Sequence, residues 1–94
     1  MQFEWDEDKD ADNITRRGLP FADAALAFFD PNRIAFEDDR FDYGEERLTT
    51  FGLIEGRLYA VTYTMRGETV RIVSARKANK RERRRYDREN EDRP

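Results

Sequence analysis

Glu45, Glu46, Arg47, Arg66, Arg71, Arg76 and Tyr86, with Lys9, are the residues of this chain whose types could do chemistry. Neither His nor Cys occurs. That removes the usual general base, the familiar nucleophilic pairings and the commonest transition-metal ligands. What is left suits phosphate. An arginine is a planar, permanently charged fork that holds a phosphate at two points. Several of them converging on a phosphodiester would stabilise the added charge of a pentacoordinate transition state without a metal. RNA supplies its own nucleophile, the 2′-hydroxyl. The protein then has to deprotonate that oxygen, align it and protonate the leaving 5′ oxygen. A Glu or Tyr could do the first, and an acid such as Tyr86 the last. Structural ion pairing is the competing use of the same residues. Arg71 lies in the middle of an apolar strand, where a long cation must emerge into a groove or pair with Glu45 or Glu46.

Acidic clusters offer a second chemistry and fit it poorly. Asp6, Asp8, Asp10 and Asp12, or Asp38, Asp39 and Asp42, could supply oxygen ligands to Mg²⁺ or Ca²⁺. Their spacing matches no calcium loop, because the glycine and the closing glutamate are missing from the required places. Solvated acidic surface is the better reading, so no metal and no cofactor is expected.

The charge is divided along the chain. Residues 1–46 hold 5 Lys/Arg and 14 Asp/Glu, and residues 47–94 hold 13 and 7, which together give the net −3. From Arg76 to Arg88 there are eight basic residues and two acidic ones. A molecule polarised in this way can turn one face to nucleic acid and another to a basic partner. The halves could equally neutralise each other across the fold. Hydrophobic content is 37% and charged content 41%, yet seven Phe, four Tyr and one Trp argue against disorder. At 94 residues the chain has room for one small domain. No apolar run approaches the roughly 20 residues that span a bilayer, and the acidic N-terminus is no signal peptide. A cytoplasmic protein is expected.

The elements that must position these residues can be read in order. Phe3-Glu4-Trp5 alternates as a short strand, Asp6 is a candidate N-cap, and a weak helix runs to about Arg16 with Gly18 as its left-handed stop. Pro20 opens a second helix in which Phe21, Ala24, Ala25 and Phe28 share one face, and Asp30-Pro31-Asn32 ends it. Arg33 to Glu37 reads as a strand. Arg47–Ile54, Arg57–Met65 and Glu68–Ser74 form a meander through turns at Glu55-Gly56 and Arg66-Gly67. Alternation sorts Tyr59, Val61, Tyr63 and Met65 from Leu58, Ala60, Thr62 and Thr64, and sorts Val70 and Ile72 from Arg71 and Val73. The last strand feeds a densely basic helix with almost no apolar stripe. The expected fold class is α+β: a short N-terminal strand and two helices packed on an antiparallel meander, closed by the C-terminal basic helix. One domain over residues 1–88 with a frayed tail over 89–94 is the expected organisation.

Several segments resemble the BrnT family. They are Phe3-Glu4-Trp5-Asp6, Lys9 with Asn13, Gly18, Phe29-Asp30-Pro31, Asp42-Tyr43-Gly44-Glu45-Glu46-Arg47 and Tyr63-Thr64-Met65-Arg66-Gly67. Arg71-Ile72-Val73-Ser74-Ala75-Arg76-Lys77-Ala78, the most specific of them, and Glu82-Arg83-Arg84-Arg85-Tyr86 complete the series. The likeness implies a RelE-like fold and a ribonuclease toxin of a type II toxin–antitoxin module that arrests translation. It also implies a BrnA-like antitoxin with a ribbon-helix-helix DNA-binding domain, through which the pair reaches operator DNA and represses its own operon. One departure bears on mechanism. Many members carry Lys-His-Gly where this chain has Arg16-Arg17-Gly18, and Arg17 stays protonated near neutral pH.

The mechanism expected is metal-independent endoribonuclease cleavage. Arg71 and Arg76 meet the transition-state phosphate, Glu45 or Glu46 is the base, and Tyr86 the acid. Arg66 helps to place the RNA, and Arg47 could instead orient a glutamate. Lys9, Arg16, Arg17, Arg47, Arg66, Lys80 and Arg81 form the expected RNA-binding set. Two other readings compete. One is a non-catalytic nucleic-acid-binding or co-repressor module. The other is an interaction domain whose basic face only binds an acidic partner segment.

Overall fold

In a computed structural model, which describes residues 1–38 and 44–91, the chain folds as β1 (Gln2–Trp5), α1 (Glu7–Arg17), α2 (Phe21–Ala24) with a 3-10 continuation (Ala25–Phe29), β2 (Ile34–Glu37), β3 (Leu48–Ile54), β4 (Arg57–Arg66), β5 (Thr69–Lys77) and α3 (Lys80–Glu91). The α+β class and the closing basic helix follow the sequence pattern, and the arrangement is consistent with a RelE-like fold. Asp39, Asp42 and Tyr43, which entered the acidic cluster and the family motif, lie outside the described residues, as do 92–94 of the tail. Helix α3 continues past Arg88 to Glu91. Among the described residues, no helix is long and apolar enough to cross a membrane.

Local chemistry sets the N-terminal half. Asp6 caps α1 by accepting from the Asp8 and Lys9 amides at 2.8 and 3.1 Å, and Gly18 closes it at φ 65°. Asp10 accepts from the Phe21 amide at 2.8 Å and so fixes the start of α2 against α1. Asn13, buried beneath the same corner, donates to the Leu19 carbonyl at 2.8 Å and accepts from the Ala75 amide at 3.4 Å.

The strands form one five-stranded sheet in the order β1-β5-β4-β3-β2. The first turn sits at Glu55 and Gly56, both at positive φ (50° and 82°), as a two-residue hairpin requires. The second falls one residue later than the pattern implied, because β4 runs through Arg66 and Gly67 supplies the positive φ of 62°. β1 pairs in parallel with β5, Glu4 lying beside Arg71, so the sheet is mixed rather than a pure meander.

Helices cover both faces. α1, α2 and the 3-10 turn bury Leu19, Phe21, Ala24, Ala27 and Phe28 against Val61, Tyr63, Val70, Ile72 and Ala75. Gly52 is needed there, since a Cβ on it would collide with the carbonyl of Ala27. α3 lies on the opposite face, over a smaller core of Ile34, Phe51, Leu58 and Ala60, to which it contributes Tyr86.

Candidate nucleic-acid interface

A bulge in β5 decides which cations share a surface. Arg71 and Arg76 are an odd number of residues apart, so regular alternation would send them to opposite faces. The ladder instead pairs Thr62 with Ser74 and Tyr63 with Ile72, leaving Val73 without a partner. The extra residue resets the phase. Ala75 then joins the apolar core opposite Val61, while Arg76, opposite Ala60, emerges on the same face as Arg71, opposite Thr64. That face also carries Thr49 and Thr62, whose hydroxyls lie 3.2 Å apart.

Both arginines arrive with a carboxylate. Arg71 donates to Glu4 Oε2 at 2.8 Å, so its partner comes from β1 and not from Glu45 or Glu46. Arg76 makes a two-point bond to Glu82, each nitrogen–oxygen distance being 2.8 Å. Glu82 is itself set by a reciprocal cap: its carboxylate accepts from the Asn79 amide and its amide donates to Asn79 Oδ1, both at 2.9 Å. The cap starts α3 and holds Arg76 in one motion.

Helix α3 is anchored by a single buried ring. Tyr86, 4% exposed, donates from its hydroxyl to Asp30 Oδ2 at 2.6 Å. Asp30 also accepts from the Leu53 and Asn32 amides at 2.8 Å each. Burial would raise the Asp30 carboxyl, but the bonds from Tyr86, Leu53 and Asn32, with the nearby Arg33 charge, outweigh it and hold it below the usual carboxylate value. Burial, and then the bond to the Asp30 anion, push the Tyr86 phenol well above its ordinary value. Tyr86 is therefore set apart from the surface residues with which the sequence grouped it. Its proton is committed to Asp30.

Anchoring α3 here opens a cleft of about 450 Å³ between the helix and the sheet. Phe36, Glu37, Asp38, Thr49 and Phe51 line its sheet side, Arg76 and Glu82 stand in it, and Arg81, Arg85 and Arg88 line its helix side. Those three arginines follow the i, i+4, i+7 spacing of one helix face. Arg85 lies over the Phe36 ring at 4.0 Å, and its Nε is 3.8 Å from Glu89. Arg81 and Arg88 are exposed and have no ion pair among the described residues.

The remaining expected residues fall into two other places. Lys9, Arg16 and Arg17 are on α1, beside Val73 and Ser74 at the β5 edge. Glu45 and Glu46 are exposed near Arg66 and Thr64: Glu45 is 4.0 Å from Arg66, and the Glu46 carbonyl accepts from Thr64 at 2.8 Å. Arg47 is half-buried next to them, its carbonyl accepting from the Asp38 amide at 2.8 Å. Lys80 begins α3 as an exposed residue outside the cleft lining. The structure thus brings Arg76 and Arg81 together, sets Arg71 on the same face, and leaves Glu45, Glu46 and Arg66 as a separate group.

Residues 5–82 match the sequence model of a family described as ribonuclease toxin, BrnT, of type II toxin–antitoxin systems. The chain belongs to the BrnT family. No curated protein matches it. The family is one of ribonuclease toxins, and a type II system implies an antitoxin partner. In this BrnT-family chain the matched span takes in Lys9, Arg71, Arg76 and Glu82 and ends before Arg85 and Arg88. Glu82, Arg85 and Arg88 were not among the expected site residues. The spacing of Arg81, Arg85 and Arg88 was a usable signal, and so was Asn79-x-x-Glu82. Glu4 had none, because its contact with Arg71 depends on a parallel pairing that local pattern does not encode.

Proposed function

We propose that this chain is an endoribonuclease toxin that cuts single-stranded RNA in the α3 cleft, with the 2′-hydroxyl of the RNA as nucleophile and no metal required. The observation that carries the reading is the placement of Arg76 on the Arg71 face, in a cleft walled by Arg81, Arg85 and Arg88. A phosphodiester entering there meets a row of forks suited to its oxygens. It competes with Glu82 for Arg76, and transfer of that guanidinium to the phosphate leaves a carboxylate beside the reacting centre. A carboxylate takes the 2′-hydroxyl proton, the 2′ oxygen attacks phosphorus, and the bond to the 5′ oxygen breaks with a proton from water. The products are a 2′,3′-cyclic phosphate and a 5′-hydroxyl end. Sequence reasoning nominates Glu45 or Glu46 as the base; of the cleft carboxylates Glu37, Asp38 and Glu82, we favour Glu82 because it holds Arg76 at two points. Tyr86 holds α3 in place. Neutralisation by a BrnA-like ribbon-helix-helix antitoxin, and repression of the shared operon through it, are part of the same proposal.

Incubating the pure protein with unstructured RNA in EDTA tests the activity. Ends carrying 2′,3′-cyclic phosphate, lost in Arg76→Ala and Arg71→Ala, are expected. Glu82→Gln is expected to lower turnover by roughly 10²–10⁴-fold, the usual contribution of a general base, while Glu45→Gln and Glu46→Gln have small effects; the reverse order would return the base to the Glu45 group. RNA that is retarded but left intact would favour the co-repressor reading, for which Arg17 in place of the family histidine is the specific support.

A further inference from the structure

A second cavity, away from the α3 cleft, combines features that bind a nucleotide. It holds about 400 Å³ and is lined by Arg16, Arg17, Gly18, Leu19, Tyr59 and Lys77. Three of these are cations, one is an aromatic ring, and none is a carboxylate, in a protein of net charge −3. Tyr59 and Lys77 are direct partners across β4 and β5, so ring and ammonium stand side by side on one face. Arg16 has a partner in Asp12 at 3.2 Å, but that bond is solvent-exposed and weak. Arg17 and Lys77 have no ion pair among the described residues.

The bland account is that Arg16 and Arg17 answer the negative end of the α1 dipole, which they do. It does not explain Lys77, which stands beside the ring of Tyr59 where that ring leaves the margin of the first core for the cavity wall. The cavity also borders a further hollow of mixed charge, which Arg16 and Arg17 line together with Asp8, Lys9, Asp12, Asn13, Val73 and Ser74. Ser74, Arg76 and Lys77 line the hollow, the cleft and the cavity respectively, Lys77 on the face of the sheet opposite Arg76 at the end of β5.

We propose that this cavity is a subsite for a nucleotide further along an RNA strand that passes from the cleft round the end of β5 to the α1 face, its base stacked on Tyr59 and its phosphates held by Arg16, Arg17 and Lys77. The inference rests on the RNA-cleaving reading above and adds a second point of RNA contact to it. Aromatic stacking is tolerant of base identity, so the subsite adds length dependence rather than sequence preference.

The test uses single-stranded 2′-O-methyl RNA oligonucleotides of increasing length, which lack the nucleophile, carrying 2-aminopurine at successive positions. Wild-type protein is expected to gain affinity once the strand reaches the subsite, with 2-aminopurine quenched at one position. Tyr59→Leu is expected to lose the quenching and roughly ten-fold in affinity for long strands, whereas Tyr59→Phe keeps both. Lys77→Ala and Arg17→Ala should each lower the slope of log affinity against log salt by about 0.7. If Tyr59→Leu does not fold, Lys77→Glu on the exposed strand end decides by the same long-strand affinity. Binding that Arg76→Ala weakens but that Tyr59→Leu and Lys77→Glu leave at wild-type strength would overturn the subsite alone. Failure of wild-type protein to bind any of the strands would remove the RNA reading and the subsite together.

Discussion

The face of the sheet under α1 and α2 and the face under α3 come from the same strands, yet they are held in different ways. On the first, Phe21, Phe28, Val61, Tyr63, Val70 and Ile72 interlock, with Phe28 and Tyr63 edge-on at 4.9 Å. Thr50, a polar residue buried on that side, donates to the Tyr63 hydroxyl at 3.1 Å. On the second, among the described residues, a smaller core of Ile34, Phe51, Leu58 and Ala60 forms, and α3 adds Tyr86. Phe36, Leu53 and Ala78 edge that core, and the same face carries the polar Thr49, Thr62, Thr64, Arg71, Ser74 and Arg76. Stability is concentrated on one side, and the other is left free to be polar. A helix in which every residue but Tyr86 and Asn90 is charged cannot be held by an apolar stripe. It is held by the Tyr86 ring on the Asp30 anion, by the cap that ties Glu82 to Arg76, by Arg85 over Phe36 and by Asn90 donating to the Asn32 carbonyl at 3.1 Å.

Removing an anchor from each face tests that contrast, and the apolar face should give the larger effect. Phe21→Ala is expected to cost about 3–5 kcal/mol of unfolding free energy, measured by urea denaturation, because Phe21 is fully buried and its site is enclosed by two helices and the sheet. For a domain of this size such a loss approaches the whole stability. A loss below about 1 kcal/mol, the ordinary cost of an unremarkable substitution, would mean that the first face is not the main core.

Tyr86→Phe should cost about 1.5–3 kcal/mol, the range for a hydrogen bond to a charged group, with lower RNA affinity as α3 loosens. The same pair has a pH signature. The phenol is raised on folding, so its contribution is complete below the ordinary tyrosine range and is lost as pH climbs beyond it. The Asp30 carboxyl is lowered, so its contribution is present above the ordinary carboxylate range and is lost as acid protonates it in the folded state. Wild-type stability should therefore fall faster than that of Tyr86→Phe at strongly alkaline pH. Parallel pH profiles for the two proteins would refute the Tyr86–Asp30 clamp.

This contrast also explains what the sequence disclosed. Local signals were strong wherever structure depends on neighbours in the chain: the Asp6 cap, Gly18, the Glu55-Gly56 turn, and the alternation that separated Tyr59, Val61 and Tyr63 from Leu58 and Ala60. They failed where structure depends on distant pairing. Glu4 reaches Arg71 only because β1 joins β5 in parallel. Arg76 joins Arg71 only because Val73 bulges, which strict alternation cannot show. Tyr86 was read as the candidate acid, and its buried bond runs to Asp30, 56 positions away in the chain. The apolar face was thus largely legible, and the candidate site was legible in residue type but not in geometry.

The smallest expected effects distinguish cleft geometry from bulk charge. Arg81→Ala and Arg88→Ala remove exposed cations from the cleft wall, so stability should stay within about 0.5 kcal/mol of wild type. Their effect belongs to binding. For every phosphate that the protein no longer neutralises, the slope of log affinity against log salt should fall by about 0.7 for a single strand. Arg84→Ala removes the same charge from the same helix, but Arg84 is exposed and does not line the cleft. Net charge changes equally in all three variants, so long-range attraction to RNA changes almost equally. A slope reduced by Arg81→Ala and Arg88→Ala but kept by Arg84→Ala means that RNA lies between α3 and the sheet. Equal slopes in the three would mean that α3 acts only through its summed charge, and the polar face would then lose its claim to be the site.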